Sequence, residues 1–573
     1  MTMENHDRIP TKVEVDILVV GSGTGLAAAL AAKEQDAEVL VIEKTPLVGG
    51  STARSGGAFW IPANPILMEE GSGDTLVSAA NYLQAVVGST ASQSRWQNFL
   101  NYGEETTRML RRTTRMRFSW AKGYSDYHPE LPGGSAIGRS CECRPFNLAL
   151  LGADRKKLQP ATMSAPIPMP VTGADYKWLN LMVKVPSRGL VTAAIRAGQG
   201  IIGKVLGRDY VAGGQALAAG LFDAVRRAQI PVWTNTALEN LLTDDTGRVT
   251  GALVNRNGST VRIFTRRGVI LAAGGFDHDV QWRRQAQSPS LEDWSLGAEG
   301  NTGDAIRAAQ RIGADVSLLD QAWWFPAVAP LNGQRPSVML AERSLPGSFM
   351  VDELGTRFVN ESIDYMSFGQ TVLAREHEGS PVGSMWFVFD QTYRNSYLFA
   401  GGIFPRMPLP SSWYDEGIAV RGTSWRDLAS KMGVPADTFE ETASRFNSLA
   451  DSGVDDDFHR GGSIYDRYYG DPTITPNPNL RALDPTRLYA VQVVLSDLGT
   501  CGGLTADEHA RVISEEGDVI TGLYAVGNTA ANAFGESYPG AGATIGQGLV
   551  FSYIAAQHAL ARVTPEDDAL PAR

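Results

Sequence analysis

The sequence predicts an α/β protein: a Rossmann-like domain, discontinuous along the chain, with an α+β catalytic capping domain inserted between its halves. Three observations predict it. A strand, a glycine turn, a helix and a second strand open the chain within 13–42. Two further strand-then-glycine stretches come far downstream, "RGVILAAGGF" (Arg267–Phe276) and "GLYAVGNTAA" (Gly522–Ala531). Between them, roughly 327–496 is dense in aromatics and turns, as in "WFVFDQTYRNSYLFAGGIF". The expected division is 1–326 and 497–573 for the two halves, with 327–496 as the insert.

The opening unit reads element by element. Val13–Val20 is an apolar run suited to a buried strand, Gly21–Gly25 is a turn, Leu26–Glu34 is a helix and Ala37–Ile42 a second strand. Gly21 and Gly23 hold the first two places of the dinucleotide fingerprint, where glycine permits a tight turn and close approach to pyrophosphate. The third place is Leu26, with Gly25 beside it, which puts the helix–strand contact in question. The helix N-terminus supplies free N–H groups and positive dipole. Glu43 closes the second strand 22 residues after Gly21, where a carboxylate takes ribose hydroxyls.

"GGSTARSGGAFWIP" (Gly49–Pro62) follows, more than a simple NAD dehydrogenase needs. It resembles the FAD-binding segment of the fumarate reductase/succinate dehydrogenase flavoprotein superfamily. The two downstream strand-then-glycine stretches resemble that superfamily's adenosine-side closure and the late strand beneath the flavin. The resemblance implies FAD, held non-covalently. It assigns cofactor contacts to Gly21, Ser22, Gly23, Thr24, Gly25, Glu43 and Lys44, and to Gly49, Gly50, Ser51, Thr52, Ser55, Gly56 and Gly57. It also assigns Ala273, Gly274, Asn301, Gly303, Asp304, Gly527, Asn528, Ala543 and Ile545.

Composition narrows the alternatives. The chain has 573 residues, 43% of them hydrophobic and 20% charged, with a net charge of −11. An acidic chain without a basic run is a poor nucleic-acid binder. Three cysteines, Cys141, Cys143 and Cys501, make neither a disulfide framework nor a metal site. The N-terminal residues carry no apolar signal region, and no run reaches the ~18–20 residues of a spanning helix. The expected location is cytoplasmic. "RGLVTAAIRAGQGIIGKVLGR" (Arg188–Arg208) mixes four cations with apolar residues and no acid, so it can lie peripherally in a membrane interface. Its plain alternative is a surface helix packed on the first domain. Gly198, Gly200 and Gly203 weaken any long helix there.

Three stretches narrow the family: "GYSDYHPELPGGSAIGRS" (Gly123–Ser140), "GSFMVDELGTRFVNESIDY" (Gly347–Tyr365), and "SDLGTCGGL" (Ser496–Leu504) with "GESYPGAGATIGQG" (Gly535–Gly548). With the FAD segments they resemble the 3-ketosteroid Δ1-dehydrogenases over nearly the whole chain. That resemblance implies 1,2-desaturation of a steroid beside its C3 ketone, with an external electron acceptor such as a quinone or dye. The family's active-site positions fall on Tyr127, Tyr365, Tyr538 and Gly542. Cys501 departs from the lysine usual in "GTKGG".

The chemistry explains those residue types. Removing a proton at C2 needs the growing charge on the carbonyl oxygen to be held by preorganised donors. A tyrosine hydroxyl (Tyr538) and a bare backbone N–H (Gly542) donate without carrying charge. Pro539 biases Tyr538 to an extended backbone, and Gly540 and Gly542 are expected to leave room for a flat ring. Ile545, Leu549 and Tyr553 recur every four residues, so a helix starts near Ala543–Gly546. Tyr365 is the candidate base, with Tyr127 hydrogen-bonded to it. His128 reads as structural. A 4,5-desaturating relative, a reductase of small unsaturated acids and a flavin-binding sensor without turnover are the alternatives.

Overall fold

The computed structural model describes residues 11–162 and 167–561. An eight-stranded sheet carries the first domain, with spatial order Arg511–Ile513, Val519–Ala525, Ser259–Leu271, Lys12–Val20, Val39–Ile42 and Val232–Trp233. The central four pair in parallel, and the strands Val249–Arg256 and Thr236–Thr243 add an antiparallel flap. Apolar, β-branched runs such as "ILVV" suit strands buried on both faces. Val20 pairs with both Leu271 and Ile42, and Leu271 with Ala525, so four strands drawn from both ends of the chain finish level. Ligands in open α/β sheets bind beyond such carboxyl ends.

The helix Gly25–Lys33 follows the fingerprint turn. Gly25 makes the close contact that Leu26 left in question: a Cβ there would lie 3.0 Å from Val19 Cγ1 and 2.8 Å from Ala272 Cβ. Leu26 is itself fully buried. The helix Ala543–Leu560 is apolar on nearly every side and buried along most of its length, as an all-round hydrophobic helix must be. It rests on the first helix, with Ser552 Oγ donating to Thr24 O at 3.0 Å.

The second sheet has six antiparallel strands, ordered Ser337–Val338, Ala322–Val328, Leu488–Thr500, Met385–Asp390 and Ser348–Val351, with Ala419–Gly422 also on the long strand Leu488–Thr500. The expected limits 327 and 496 fall inside its first and last long strands. One face, with Phe349, Trp386 and Val388, buries against the helices Trp425–Met432 and Ala436–Ser452. The helix Tyr365–His377 packs on Ala322–Val328, where Gly369 is required because a Cβ would lie 2.1 Å from Trp324 Cβ.

Arg188–Arg208 departs from two readings: that its glycines weaken a long helix, and that its apolar residues pack on the first domain. One helix, Pro186–Val205, runs straight through its glycines. Gly200 and Gly203 face the protein, where a Cβ would lie 1.8 Å from Pro168 O and 2.8 Å from the Tyr210 ring, so close packing offsets their low propensity. The apolar residues face outward instead: Ile195 and Ile202 are 60% exposed and Val205 81%. Several cations are also engaged, Arg196 with Asp175 (2.7 Å), Lys204 with Asp209 (2.7 Å) and Arg208 with the Tyr210 hydroxyl (3.1 Å). Among the described residues no helix is long and apolar enough to cross a membrane.

Candidate active site

A cavity of about 1510 Å³ runs from the level strand ends, past the loop Gly535–Gly542, to the inward side of the helix Pro186–Val205, where Ala193, Ala194 and Ala197 line it. That exceeds the roughly 300–1,000 Å³ of a pocket for one drug-sized ligand, so it accommodates a dinucleotide and a second molecule.

The nucleotide end is built from four loops. Gly21 has φ +107°, and a Cβ there would lie 2.1 Å from Ala272 O, so only glycine lets the two strand-end loops touch. Ser22 donates to Glu43 through Oγ (2.6 Å) and N (3.2 Å), and Thr45 N and Oγ1 donate to the other oxygen (2.9 and 3.0 Å). Those four donors fix the carboxylate at the mouth of its strand. Ser51 Oγ accepts from Ala298 N and Asn301 Nδ2, both at 2.9 Å, tying the second glycine segment to the loop around 298–304. At Gly50 and Gly56 a Cβ would meet nothing within 4 Å; both border the cavity. Lys44 pairs with Asp304 at 2.5 Å.

Most of the expected cofactor residues line this space: Gly21, Ser22, Gly23 and Thr24, then Glu43 and Lys44, then Gly50, Ser51, Thr52, Ser55, Gly56 and Gly57. So do Ala273, Gly274, Asn301, Gly303 and Asp304, and Gly527, Asn528 and Ile545. Gly25, Gly49 and Ala543 sit behind the wall. Gly49 N–H donates to Ser22 Oγ at 3.0 Å, and a Cβ on it would lie 3.1 Å from Ala218. Bare backbone, a strand-end carboxylate and helix N-termini around open space fit the donor set a dinucleotide such as FAD requires.

At the other end the four expected catalytic positions meet. Tyr127, Tyr365, Tyr538 and Gly542 all line the cavity. Ring centroids lie 5.5 Å apart for Tyr127 and Tyr365, 5.3 Å for Tyr365 and Tyr538, and 5.2 Å for Tyr127 and Tyr538. Each comes from a different element. Tyr365 opens the helix capped by Asp364, whose side chain accepts from Ser367 N at 3.0 Å. Tyr127 sits on a loop held by buried Asp126, which accepts from Trp60 Nε1 (2.8 Å) and pairs with buried Arg139. Tyr127 N–H donates to Pro539 O (3.1 Å), and the Tyr82 hydroxyl donates to the same oxygen (2.6 Å). The Tyr127 loop and the Tyr538 loop are therefore one rigid unit.

Gly542 caps the helix Ala543–Leu560 with φ +90°. Its carbonyl accepts from Trp60 N at 3.1 Å, while its N–H finds no acceptor among the described residues. The glycines of this loop do a different job from the one expected. A Cβ at Gly540 would lie 2.5 Å from Trp60 Cδ1 and one at Gly542 2.3 Å from Ala58 O. They seat the loop on the strand Ala58–Trp60, so protein atoms, the Trp60 indole among them, occupy the space expected for a substrate ring. Thr544 Oγ1 donates to the Tyr538 hydroxyl at 3.2 Å.

Burial pushes the Tyr127 and Tyr365 hydroxyls well above the ordinary phenol range; for Tyr365 the Tyr127 hydroxyl works in the opposite sense. Both rest neutral. Cys501 is buried, so the departure from lysine places a small apolar group behind the loop. His128 lies 3.8 Å from Asp364, behind Tyr365. Sequence reasoning missed Tyr124, Trp323, Phe325 and Tyr469, which also line the cavity. Tyr124 stood in the quoted "GYSDY", three residues before Tyr127, and Tyr469 in "YDRYYGD".

Comparison with known proteins shows the family. The "FAD binding domain" family model matches residues 16–545. A 3-oxosteroid 1-dehydrogenase of Mycobacterium tuberculosis is 43% identical, over 96% of this chain and 98% of its own. A 4-oxocyclohexanecarboxylate 2-dehydrogenase of Sinomonas cyclohexanicum is 34% identical, over 96% and 94%. The solved 3-ketosteroid Δ1-dehydrogenase of Sterolibacterium denitrificans, in complex with 1,4-androstadiene-3,17-dione, superposes with a TM-score of 0.89 at 34% identity, covering 95% of this chain and 99% of that one. The chain belongs to the FAD-binding flavoprotein family and, within it, to the 3-oxosteroid 1-dehydrogenases.

Proposed function

We propose that the protein desaturates the C1–C2 bond of 3-ketosteroids. The observation that carries this reading is the meeting at one wall of the cavity of three tyrosines and one backbone N–H that has no acceptor among the described residues. The Tyr538 hydroxyl and Gly542 N–H donate to the C3 carbonyl oxygen. As charge grows there they act without reorganisation, each contributing about 3 kcal/mol to the barrier reduction. The free N–H groups and positive dipole of the helix Ala543–Leu560 point the same way. Tyr365 takes the C2 proton as its phenolate, formed when the hydroxyl that rests neutral gives up its proton; the neighbouring Tyr127 hydroxyl favours that phenolate, and the step leaves Tyr365 neutral again. FAD, when bound, supplies the acceptor for the C1 hydride. Gly21, Gly23, Ser51, Asn301 and Asn528 would hold it, with Glu43 on the ribose.

A small oxocyclohexane acid, as in the Sinomonas relative's name, needs a cation for its carboxylate. Among the described cavity-lining residues the cations are Lys44, paired with Asp304, and Arg54, whose Nε donates to Leu296 O at 3.0 Å. A steroid body suits the remaining apolar wall better. Turnover of a 5α-3-ketosteroid tests the position attacked: a 1-ene product supports the reading and a 4-ene product overturns it.

The outward row Leu190, Val191, Ile195, Ile202 and Val205 supports a second part of the proposal, that this face rests on a membrane surface and receives apolar steroid there. With several cations already paired, buried apolar area contributes more to that contact than charge. A quinone in the same membrane would be the external acceptor.

A further inference from the structure

A separate polar group stands on the cavity wall, on an element that carries none of the catalytic positions. Tyr176 lines the cavity from the helix Gly173–Asn180. That helix packs against Pro186–Val205: Arg196 pairs with Asp175 at 2.7 Å, and a Cβ on Gly189 would lie 2.6 Å from Trp178 O. Its nearest lining neighbours in sequence, Leu179 and Met182, are apolar.

The Tyr176 hydroxyl donates to Oε1 of buried Glu342 at 3.2 Å. Glu342 opens the short turn Glu342–Ser344 of the inserted domain, two residues after cavity-lining Leu340. Its backbone carbonyl accepts from the Tyr393 hydroxyl at 2.8 Å, which fixes the turn. Burial raises the Tyr176 hydroxyl well above the ordinary phenol range, so it keeps its proton. Burial also pushes the Glu342 carboxyl up to about 7, so at pH 8 it is a carboxylate and can only accept. The Tyr176 proton is then committed to Glu342, and its oxygen offers lone pairs. The surrounding set is also short of donors. Glu342 Oε2 and Asn180 Oδ1, one helical turn after Tyr176, are buried with no hydrogen-bond partner among the described residues. Buried polar groups are almost always paired, so such a set calls for a group that brings a proton. A hydroxyl does so and a ketone, an acceptor only, does not.

We propose that Tyr176, its proton held by Glu342, is a specificity-determining residue for the end of the steroid remote from C3, where it accepts a hydrogen bond from a hydroxyl and favours 17-hydroxy over 17-keto substrates. The inference rests on the proposed steroid dehydrogenation. With its C3 oxygen at Tyr538 and Gly542, the rigid steroid extends along the cavity toward the helix Pro186–Val205 and brings its D-ring oxygen to Tyr176. Glu342 is a positioning residue: it turns the Tyr176 proton away from the ligand.

The test uses the full-length, FAD-loaded protein at pH 8 and three steroids that differ only at C17: testosterone, androst-4-ene-3,17-dione and androst-4-en-3-one. The steroid-concentration dependence of anaerobic flavin reduction gives each affinity. Wild type should bind testosterone about fivefold more tightly than either other steroid, the worth of one net hydrogen bond. Tyr176→Phe should abolish that preference by weakening testosterone alone, with androst-4-en-3-one within about twofold of wild type. Glu342→Leu frees the Tyr176 proton, so the preference should move toward the 17-ketone. Equal wild-type affinities for the hydroxyl and the ketone, or a Tyr176→Phe change that weakens all three steroids alike, overturn the proposal. An unchanged preference in Glu342→Leu overturns the part given to Glu342. Failure of all three steroids to reduce the wild-type flavin overturns the steroid assignment instead.

Discussion

Tyr538 and Gly542 face the same stretch of cavity from a loop whose glycines are consumed by its own strand. The division of labour is clear at this scale: Gly540 seats the loop, Gly542 offers its N–H, and Tyr538 offers its hydroxyl. Tyr538→Phe removes one donor and should lower kcat by about 10²–10³ with little change in flavin content. Tyr365→Phe removes the proton acceptor and should cost at least as much; steady-state turnover of a 3-ketosteroid checks both. These residues were legible in the sequence only through family resemblance. No spacing rule joins Tyr127, Tyr365 and Tyr538, which lie hundreds of residues apart. Tyr124 and Tyr469 were passed over for the same reason: their rings, 5.6 Å apart, meet only when the inserted domain covers the loop of Tyr127. Glu43 was legible from spacing alone, because a strand end 22 residues after the glycine turn has one place to go.

The elements differ in how well pattern predicts them. The opening strand, turn and helix follow local rules, and the structure starts the helix at Gly25 and the second strand at Val39. The helix Pro186–Val205 runs against those rules, since its glycines face inward and its branched residues outward. Propensity cannot see the Pro168 carbonyl that makes Gly200 necessary. The preceding helix, Gly173–Asn180, carries a pH-sensitive contact at its start. Buried Glu142 accepts from Ala174 N at 3.3 Å. Burial pushes its carboxyl up to about 7; the Ala174 N–H, Thr172 and Arg196 oppose the shift and Asp175 adds to it. An unfolded chain releases that proton near pH ~4.3. The folded state therefore holds the extra proton between those values, and stability falls as pH rises through that window, by up to about 4 kcal/mol. Buried Asp126, Asp277 and Glu342 shift in the same direction, so the informative quantity is a difference. Urea midpoints taken across that window should fall with pH more in wild type than in Glu142→Gln; equal slopes would contradict the assignment.

Across the whole molecule, two chain ends build one sheet, and the segment between them supplies a second sheet and part of the cavity wall. The discontinuous first domain was legible because three strand-then-glycine stretches repeat one local physics. The extent of the cavity was not, since it depends on how Tyr365, Tyr469 and the Pro186–Val205 helix converge. If that helix meets a membrane, wild-type protein should float with anionic vesicles, and Ile195→Glu/Ile202→Glu/Val205→Glu should not, with soluble turnover retained. Flotation unaffected by the triple change would remove the membrane contact and leave the active site untouched. The central claim is that this cavity brings a 3-ketosteroid and FAD together for reaction. Anaerobic titration of the FAD-loaded protein with androst-4-ene-3,17-dione tests it most directly. The oxidised-flavin absorbance should bleach in proportion to steroid added, with the 1,4-diene-3-ketone as product; an unchanged band at saturating steroid would contradict the account.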